Sequence, residues 1–183
     1  LGRYEEAIAA YDLALDLKPD NHEALNNKGS ALFNLGRYEE AIAAYDQALA
    51  IKPDNHEALY FKGIVLFNLG RYEEAIAAYD LALDLKPDNH EALYNKGIVL
   101  FNLGRYEEAI ASYNQAISIQ PTNPNPYYNK ACCYGLQGDI DQVLIWLQKA
   151  IDLAPEKYRE MTKTDRDFDA VRDDPRFQAL LKD

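Results

Sequence analysis

Residues 35–68 read LGRYEEAIAAYDQALAIKPDNHEALYFKGIVLFN, and this stretch decides the fold. Nearly the same string precedes it at 1–34 and follows it at 69–102. A fourth copy begins at Leu103 and a more divergent fifth copy begins at Gln137. The copies follow one another every 34 residues without a gap. The chain is therefore predicted to repeat one supersecondary unit along its length.

Each copy predicts two helices. Apolar residues recur at helical spacing from Tyr38 to Leu49, and Pro53 ends this stretch. Asp54 or Asn55 is suited to cap a second helix that begins near His56. Because Gly63 in that helix has no side chain, it allows the next helix to cross closely.

The 34-residue unit resembles the tetratricopeptide repeat. The residues that carry the resemblance are Gly63, Tyr72, Ala75, Tyr79, Ala82 and Pro87. The resemblance implies an all-α, right-handed α-solenoid of antiparallel helix pairs with C-terminal capping helices. In the family's phase, residues 1–157 form the repeat array and residues 158–183 form a capping segment. The array then consists of the second helix of a truncated repeat at 1–21 and of repeats at 22–55, 56–89, 90–123 and 124–157.

The two ends of the array are predicted to differ. The first helix of the last repeat is expected to start at Pro126 or Tyr127, and a helical pattern continues after Pro155 until Asp174-Pro175 interrupts it. The residues expected to cover the last repeat are Tyr158, Met161, Phe168, Val171, Phe177 and Leu180. Helix 3–17 has no such cover, so its apolar residues are expected to be exposed and to favour self-association. Those residues are Tyr4, Ala7, Ile8 and Tyr11.

Composition excludes several classes of function. The chain has 183 residues, of which 48% are hydrophobic, and it carries 19 Lys and Arg against 30 Asp and Glu, a net charge of −11. Binding to nucleic acid requires clustered cations, so none is expected. No apolar run reaches the roughly 18 residues of a membrane span. The only cysteines, Cys132 and Cys133, are adjacent, which favours small buried side chains and a reducing, cytoplasmic setting.

No catalytic or metal-binding pattern stands out, so we expect no enzyme activity, no cofactor and no metal. One histidine per repeat, His22, His56 and His90, begins the same helix and is expected to be solvated. Paired glutamates such as Glu39-Glu40 occupy adjacent helical positions, which point in different directions. They are expected to form a solvated face.

The resemblance implies that the first helices of successive repeats line an inner, concave surface. Among the first helices of the three near-identical copies, the substitutions fall at the fifth, sixth, ninth and tenth repeat positions. This indicates a binding face, although drift at solvent-tolerant positions gives a similar pattern. Tyr45, Tyr79 and Tyr113, together with Tyr11, are instead expected in the core. The predicted peptide-binding groove consists of Asn27, Tyr60, Phe61, Ile64, Phe67, Tyr94, Asn95, Ile98, Phe101, Tyr128 and Asn129.

The groove residues indicate the ligand. Tyr and Phe offer rigid apolar area, and Asn offers an amide donor and a carbonyl acceptor. Glutamates such as Glu57 and Glu91 add negative charge at the rim and favour a neutral or basic partner. The sequence thus predicts a protein-interaction scaffold that binds a partly apolar peptide. End-to-end self-association, or a docking segment of a larger enzyme, are the alternatives.

Overall fold

The computed structural model describes residues 2–182, which divide into two compact units at residues 92 and 93. Within the described residues all regular structure is helical. The helices are α1 (Gly2–Leu17), α2 (His22–Asn34), α3 (Tyr38–Ile51), α4 (His56–Asn68), α5 (Tyr72–Leu85), α6 (His90–Asn102), α7 (Tyr106–Ile119), α8 (Pro124–Gln137), α9 (Ile140–Leu153), α10 (Pro155–Thr164) and α11 (Pro175–Leu180), with a 3₁₀ turn at Arg166–Phe168. This confirms the all-α class with helices in paired packing.

Unit 1 contains α1 to α5, in which consecutive helices pack against one another. A Cβ atom at Gly63 would lie 2.6 Å from the Tyr79 ring, and one at Gly29 would lie 2.8 Å from the Tyr45 ring. Only glycine therefore lets the first helix of a pair approach the tyrosine of the second. Tyr45 and Tyr79 are buried, as the sequence predicted.

Local sequence sets the helix ends in unit 1. The Asn55 side chain accepts a hydrogen bond from the Ala58 backbone N–H, which confirms Asn55 as the predicted cap of α4. Asn21 caps α2 in the same way. Between α4 and α5 the chain turns at Gly70, whose φ of 73° favours glycine.

Unit 2 contains the rest of the chain and repeats the pairing in α8 and α9. Gly97 faces the ring of Tyr113, which is fully buried as predicted. The expected start of α8 at Pro126 or Tyr127 is wrong, because Asn123 caps the helix and Pro124 occupies its first turn. Proline lacks an N–H group that the first turn would leave unpaired, so Pro124 and Pro126 are both accommodated there.

The C-terminal segment covers α8 and α9. Tyr158, Phe168, Val171 and Phe177 are buried in one cluster with residues of both helices. The predicted helix after Pro155 does not continue without interruption, because Asp165 adopts an extended conformation and its side chain caps the 3₁₀ turn. Met161, expected to be buried, is 42% exposed.

None of the described helices is long and apolar enough to cross a membrane.

Candidate functional site

In unit 1, the predicted groove residues lie on α2 and α4. Tyr60, Ile64 and Phe67 follow one another at helical spacing and are half-buried, whereas Phe61 is 36% exposed. The Tyr60 and Phe61 ring centroids are 5.2 Å apart, and Tyr60 also packs against the buried Tyr79 at 6.1 Å. We call these four residues, together with the exposed Asn27 on α2, the α2–α4 face. It combines apolar area with one exposed amide.

In unit 2, Tyr94, Asn95, Ile98 and Phe101 are half-buried on α6. The Asn129 side-chain amide on α8 donates a hydrogen bond to the Tyr94 hydroxyl over 3.3 Å. Burial raises the pKa of the Tyr94 hydroxyl, so it remains protonated at neutral pH. The fold thus brings together two of the residues that the sequence placed in one groove.

Tyr128 is not available to a ligand, which corrects the prediction. It is only 3% exposed because the C-terminal segment lies on it. Its hydroxyl donates a hydrogen bond to Asp165 Oδ2 over 2.6 Å, and its ring packs against those of Tyr158 and Phe168. Burial and the Asp165 carboxyl raise the pKa of the Tyr128 hydroxyl.

The same segment covers other first-helix positions of the last repeat. A Cβ atom at Gly135 would lie 2.5 Å from the Asp167 backbone oxygen and 2.9 Å from the Phe168 ring. The Cys132 thiol lies 4.0 Å from Asp165 Oδ2. Asp165 and the 3₁₀ turn that follows it therefore contact Tyr128, Cys132 and Gly135 on α8. These three positions correspond to Tyr60, Ile64 and Phe67 on α4.

At the N-terminal end, the three residues predicted to support self-association differ in exposure. Tyr4 is exposed and Tyr11 is half-buried, so the prediction of a core position for Tyr11 does not hold. Ile8 is only 7% exposed, which contradicts its predicted exposure. α1 packs against α2, and that contact covers one side of α1. Tyr4 and Tyr11 line an open cavity of about 800 Å³ with Asn27 and Ser30 of α2.

The titratable groups show no arrangement suited to catalysis within the described residues. Arg37, Arg71 and Arg105 each bind the glutamate three residues later, and these hydrogen bonds lower the pKa of Glu40, Glu74 and Glu108. The histidines are not simply solvated as expected. His22 and His56 are half-buried, and their Nδ1 atoms are buried without a hydrogen-bond partner among residues 2–182.

One cluster has the composition of a metal site. Cys132, Asp165 and Asp167 offer ligand atoms that lie within 4.8 Å of one another, a juxtaposition that the sequence did not reveal. Burial and the two carboxyl groups raise the pKa of the Cys132 thiol, which therefore stays protonated at neutral pH. Asp165 already accepts a hydrogen bond from Tyr128 and caps the 3₁₀ turn. The cluster is accounted for by attachment of the C-terminal segment, and both cysteines are buried free thiols as predicted.

The predicted groove does not include Asn26. Asn26 stands where the next copies have Tyr60 and Tyr94, and it is one of only three positions at which the copies 1–34 and 69–102 differ. The signal was present in that comparison. Its meaning becomes visible only in the structure, where Asn26 is buried and lines a polar pocket.

Comparison with known proteins assigns the class. The tetratricopeptide repeat profile matches residues 1–56, 52–90 and 60–124, and a second profile of the same name matches residues 112–144. The chain belongs to the tetratricopeptide repeat family. Among curated proteins, none matches the sequence.

Solved structures agree with this assignment. The crystal structure of MamA is 28% identical, covers 85% of this chain and 91% of its own, and superposes with a TM-score of 0.81. The crystal structure of YrrB, described as a tetratricopeptide repeat protein with an unusual peptide-binding site, is 27% identical, with a TM-score of 0.76 and coverage of 88% and 84%. The fold class is therefore that of the tetratricopeptide repeat solenoids, and the likeness supports a protein-interaction scaffold.

Proposed function

We propose that this protein is a non-enzymatic scaffold that binds a partly apolar, neutral or basic peptide on the first helices of its repeats, and that in unit 1 the peptide lies on the α2–α4 face. The observation that carries the proposal is the partly exposed Tyr60–Phe61 aromatic pair on α4, together with the exposed amide of Asn27 on α2, the preceding first helix. Aromatic side chains of this kind supply most of the affinity of many interfaces.

The pattern of substitution supports the proposal. The copies 1–34 and 69–102 are identical except at Asn26/Tyr94, Ser30/Ile98 and Ala31/Val99, all on first helices. Second-helix residues that face the core, such as Ala41, Ala75, Tyr45 and Tyr79, are kept. This division is expected if the first helices carry specificity and the second helices carry packing.

Unit 2 gives further support, because a segment from outside the repeats, Asp165 and the 3₁₀ turn that follows it, is held there on a first helix. Tyr128 donates to Asp165, and Phe168 packs on the Tyr128 ring with centroids 5.8 Å apart. One hydrogen bond to a tyrosine and one aromatic contact are interactions that Tyr60 and Phe61 can also offer to a peptide. Two buried free thiols are consistent with a cytoplasmic location.

The test is panning of a random peptide library against the chain and against the Tyr60→Ala/Phe61→Ala variant. The matched control is Leu81→Ala/Leu85→Ala, which removes two exposed leucines from α5. Peptides that enrich on the parent and on the control but not on the α2–α4 variant support the proposal. If peptides enrich equally on the parent and on both double variants, and the variants unfold at the same temperature as the parent, the proposal is overturned.

Self-association through α1 is a second candidate, favoured by the exposed Tyr4 at the open cavity of about 800 Å³. It predicts a mass that rises with concentration in sedimentation equilibrium. Because Ile8 is buried, replacing it would unfold α1, so Tyr4→Lys is the suitable probe. A monomer at every concentration excludes this candidate.

A further inference from the structure

A polar pocket of about 300 Å³ lies in unit 1 beside the first turns of α2 and α4. It is lined by His22, Glu23, Asn26, Asn27, Lys52 and Glu57, together with Asn55. The pocket coincides with a substitution, because Asn26 stands where Tyr60 stands in the next copy and Tyr94 in the one after. We call it the Asn26 pocket.

Asn26 is 9% exposed, and its Oδ1 is buried without a hydrogen-bond partner among residues 2–182. A buried acceptor without a partner destabilises a fold, and native proteins contain few of them. The repeat does not need an amide here, since two sister copies carry tyrosine. The unsatisfied oxygen therefore points to a ligand that supplies a hydrogen-bond donor.

The charges around the pocket favour a cationic donor. Glu23 and Glu57 are exposed carboxylates at its edge, whereas Lys52 is the one lysine or arginine among its lining residues, which also include His22. The helix N-termini by themselves would attract an anion. However, the side chains of Asn21 and Asn55 already bond to Ala24 and Ala58 N–H groups, and each glutamate lies in a first turn where it offsets the dipole.

We propose that the Asn26 pocket binds the guanidinium group of an arginine side chain in the peptide partner. Arginine has a planar fork of five donors, which lets one group reach both the Asn26 amide oxygen and a neighbouring carboxylate. This inference rests on the proposed function and adds a sequence preference to it.

The position of the pocket also predicts spacing within the peptide. Asn26 and Tyr60 hold the same repeat position on α2 and α4, and neighbouring helices lie roughly 8–10 Å apart. An extended chain advances about 3.3 Å per residue, so about three residues span that distance. The preferred peptide therefore carries arginine about three positions from an aromatic residue that packs on Tyr60 and Phe61.

The probes are two peptides, acetyl-Gly-Arg-Gly-Gly-Trp-Gly-amide and its citrulline counterpart, which keeps the shape and removes the charge. Binding is measured by isothermal titration calorimetry to the parent, Asn26→Tyr and Glu91→Gln. Asn26→Tyr restores the residue of the sister copies and is therefore compatible with the fold. Glu91 is the equivalent of Glu23 and Glu57 in a copy that carries Tyr94, which makes it the matched control.

The arginine peptide is expected to bind the parent at least tenfold more tightly than the citrulline peptide. Asn26→Tyr should remove this preference, while Glu91→Gln should retain it. A preference that survives Asn26→Tyr overturns the inference. So does competition by inorganic phosphate, which would identify the pocket as an anion site.

A second measurement separates this inference from the proposed function. Acetyl-arginine-amide and acetyl-citrulline-amide are titrated while the Asn26 side-chain amide is followed by NMR. A shift with arginine alone supports the pocket even if neither tryptophan peptide binds the α2–α4 face. No selective shift overturns the arginine site, even if the peptides bind that face.

Discussion

α4 in unit 1 and α8 in unit 2 are the first helices of different repeats. They differ in where the aromatic ring that packs near their C-terminal ends comes from. On α4, Phe67 packs against Tyr72 with ring centroids 5.7 Å apart. α8 has Gly135 at the corresponding position, and the Phe168 ring from the C-terminal segment lies beside it. On α4 the aromatic group belongs to the helix itself, whereas on α8 it comes from the C-terminal segment.

The difference explains why the last repeat diverges. Gly135 and Cys132 replace the larger Phe67 and Ile64, and the small side chains leave room for the backbone at Asp167. The covered first helix is closed to partners, whereas the α2–α4 face is open. On α8, divergence from the repeat marks positions that the C-terminal segment contacts.

The largest expected effect is that of Phe168→Ala. Phe168 is fully buried, and removal of such a ring costs about 3–5 kcal/mol of unfolding free energy. The single tryptophan, Trp146 on α9, reports the unfolding of unit 2 by fluorescence in urea. Met161→Ala in the same segment should cost less than about 0.5 kcal/mol. Equal effects of the two variants would contradict the assigned role of Phe168.

Gly135→Phe tests whether α8 can carry a ring of its own while the Phe168 ring of the C-terminal segment packs beside it. The new side chain resembles that of Phe67, but its Cβ atom would lie 2.9 Å from the Phe168 ring as well as 2.5 Å from the Asp167 backbone oxygen, so the variant should lose about 1–3 kcal/mol. In Gly135→Phe/Phe168→Ala the ring returns from the helix while the tail ring is gone. The double variant should therefore be more stable than the sum of the single losses by about 1 kcal/mol or more. Additive losses in a urea double-mutant cycle would show that the positions are independent.

Tyr128→Phe tests how the tail is held. The hydroxyl bonds a carboxyl oxygen at 2.6 Å, and losing such a bond costs about 1.5 kcal/mol. Tyr127→Phe is the control, because that hydroxyl donates to the neutral Pro121 carbonyl at 3.1 Å and should matter less. Trypsin digestion at Arg166 provides a second measurement, and faster cleavage is expected in Tyr128→Phe alone.

Sequence periodicity predicted the helix pairs, the buried Tyr45, Tyr79 and Tyr113 and the Asn55 cap, because each depends on contacts that recur in every copy. It could not predict that Tyr128 is covered. That outcome depends on a contact between Tyr128 and Asp165, which are 37 residues apart and belong to no repeated pattern. Ile8 is buried because α2 packs against α1, and the periodicity of α1 alone does not reveal which of its apolar residues that contact covers.

The smallest expected effect concerns an ion pair of the C-terminal segment that corresponds to ion pairs between second helices in unit 1. In unit 1, Arg37 Nη1 lies 3.4 Å from Glu5 and Arg71 Nη1 lies 3.5 Å from Glu39, which links successive second helices. In unit 2, Arg176 of the tail binds Asp141 at 2.7 Å, and Asp141 holds the repeat position of Glu5 and Glu39. These partners are exposed, so Arg176→Gln should lower the free energy of unfolding less than any of the other substitutions that weaken the C-terminal segment.

The salt dependence of the loss of stability in Arg176→Gln shows whether that loss is electrostatic. The Debye length falls from about 10 Å at 0.1 M to about 3 Å at 1 M salt, so the difference between parent and Arg176→Gln should shrink in urea titrations at 1 M. Arg176→Lys keeps the charge and should lie between them. A loss that persists at high salt would instead assign the effect to packing of the arginine stem. The contact between Arg176 and α9 would then be apolar, unlike the charged link between second helices in unit 1.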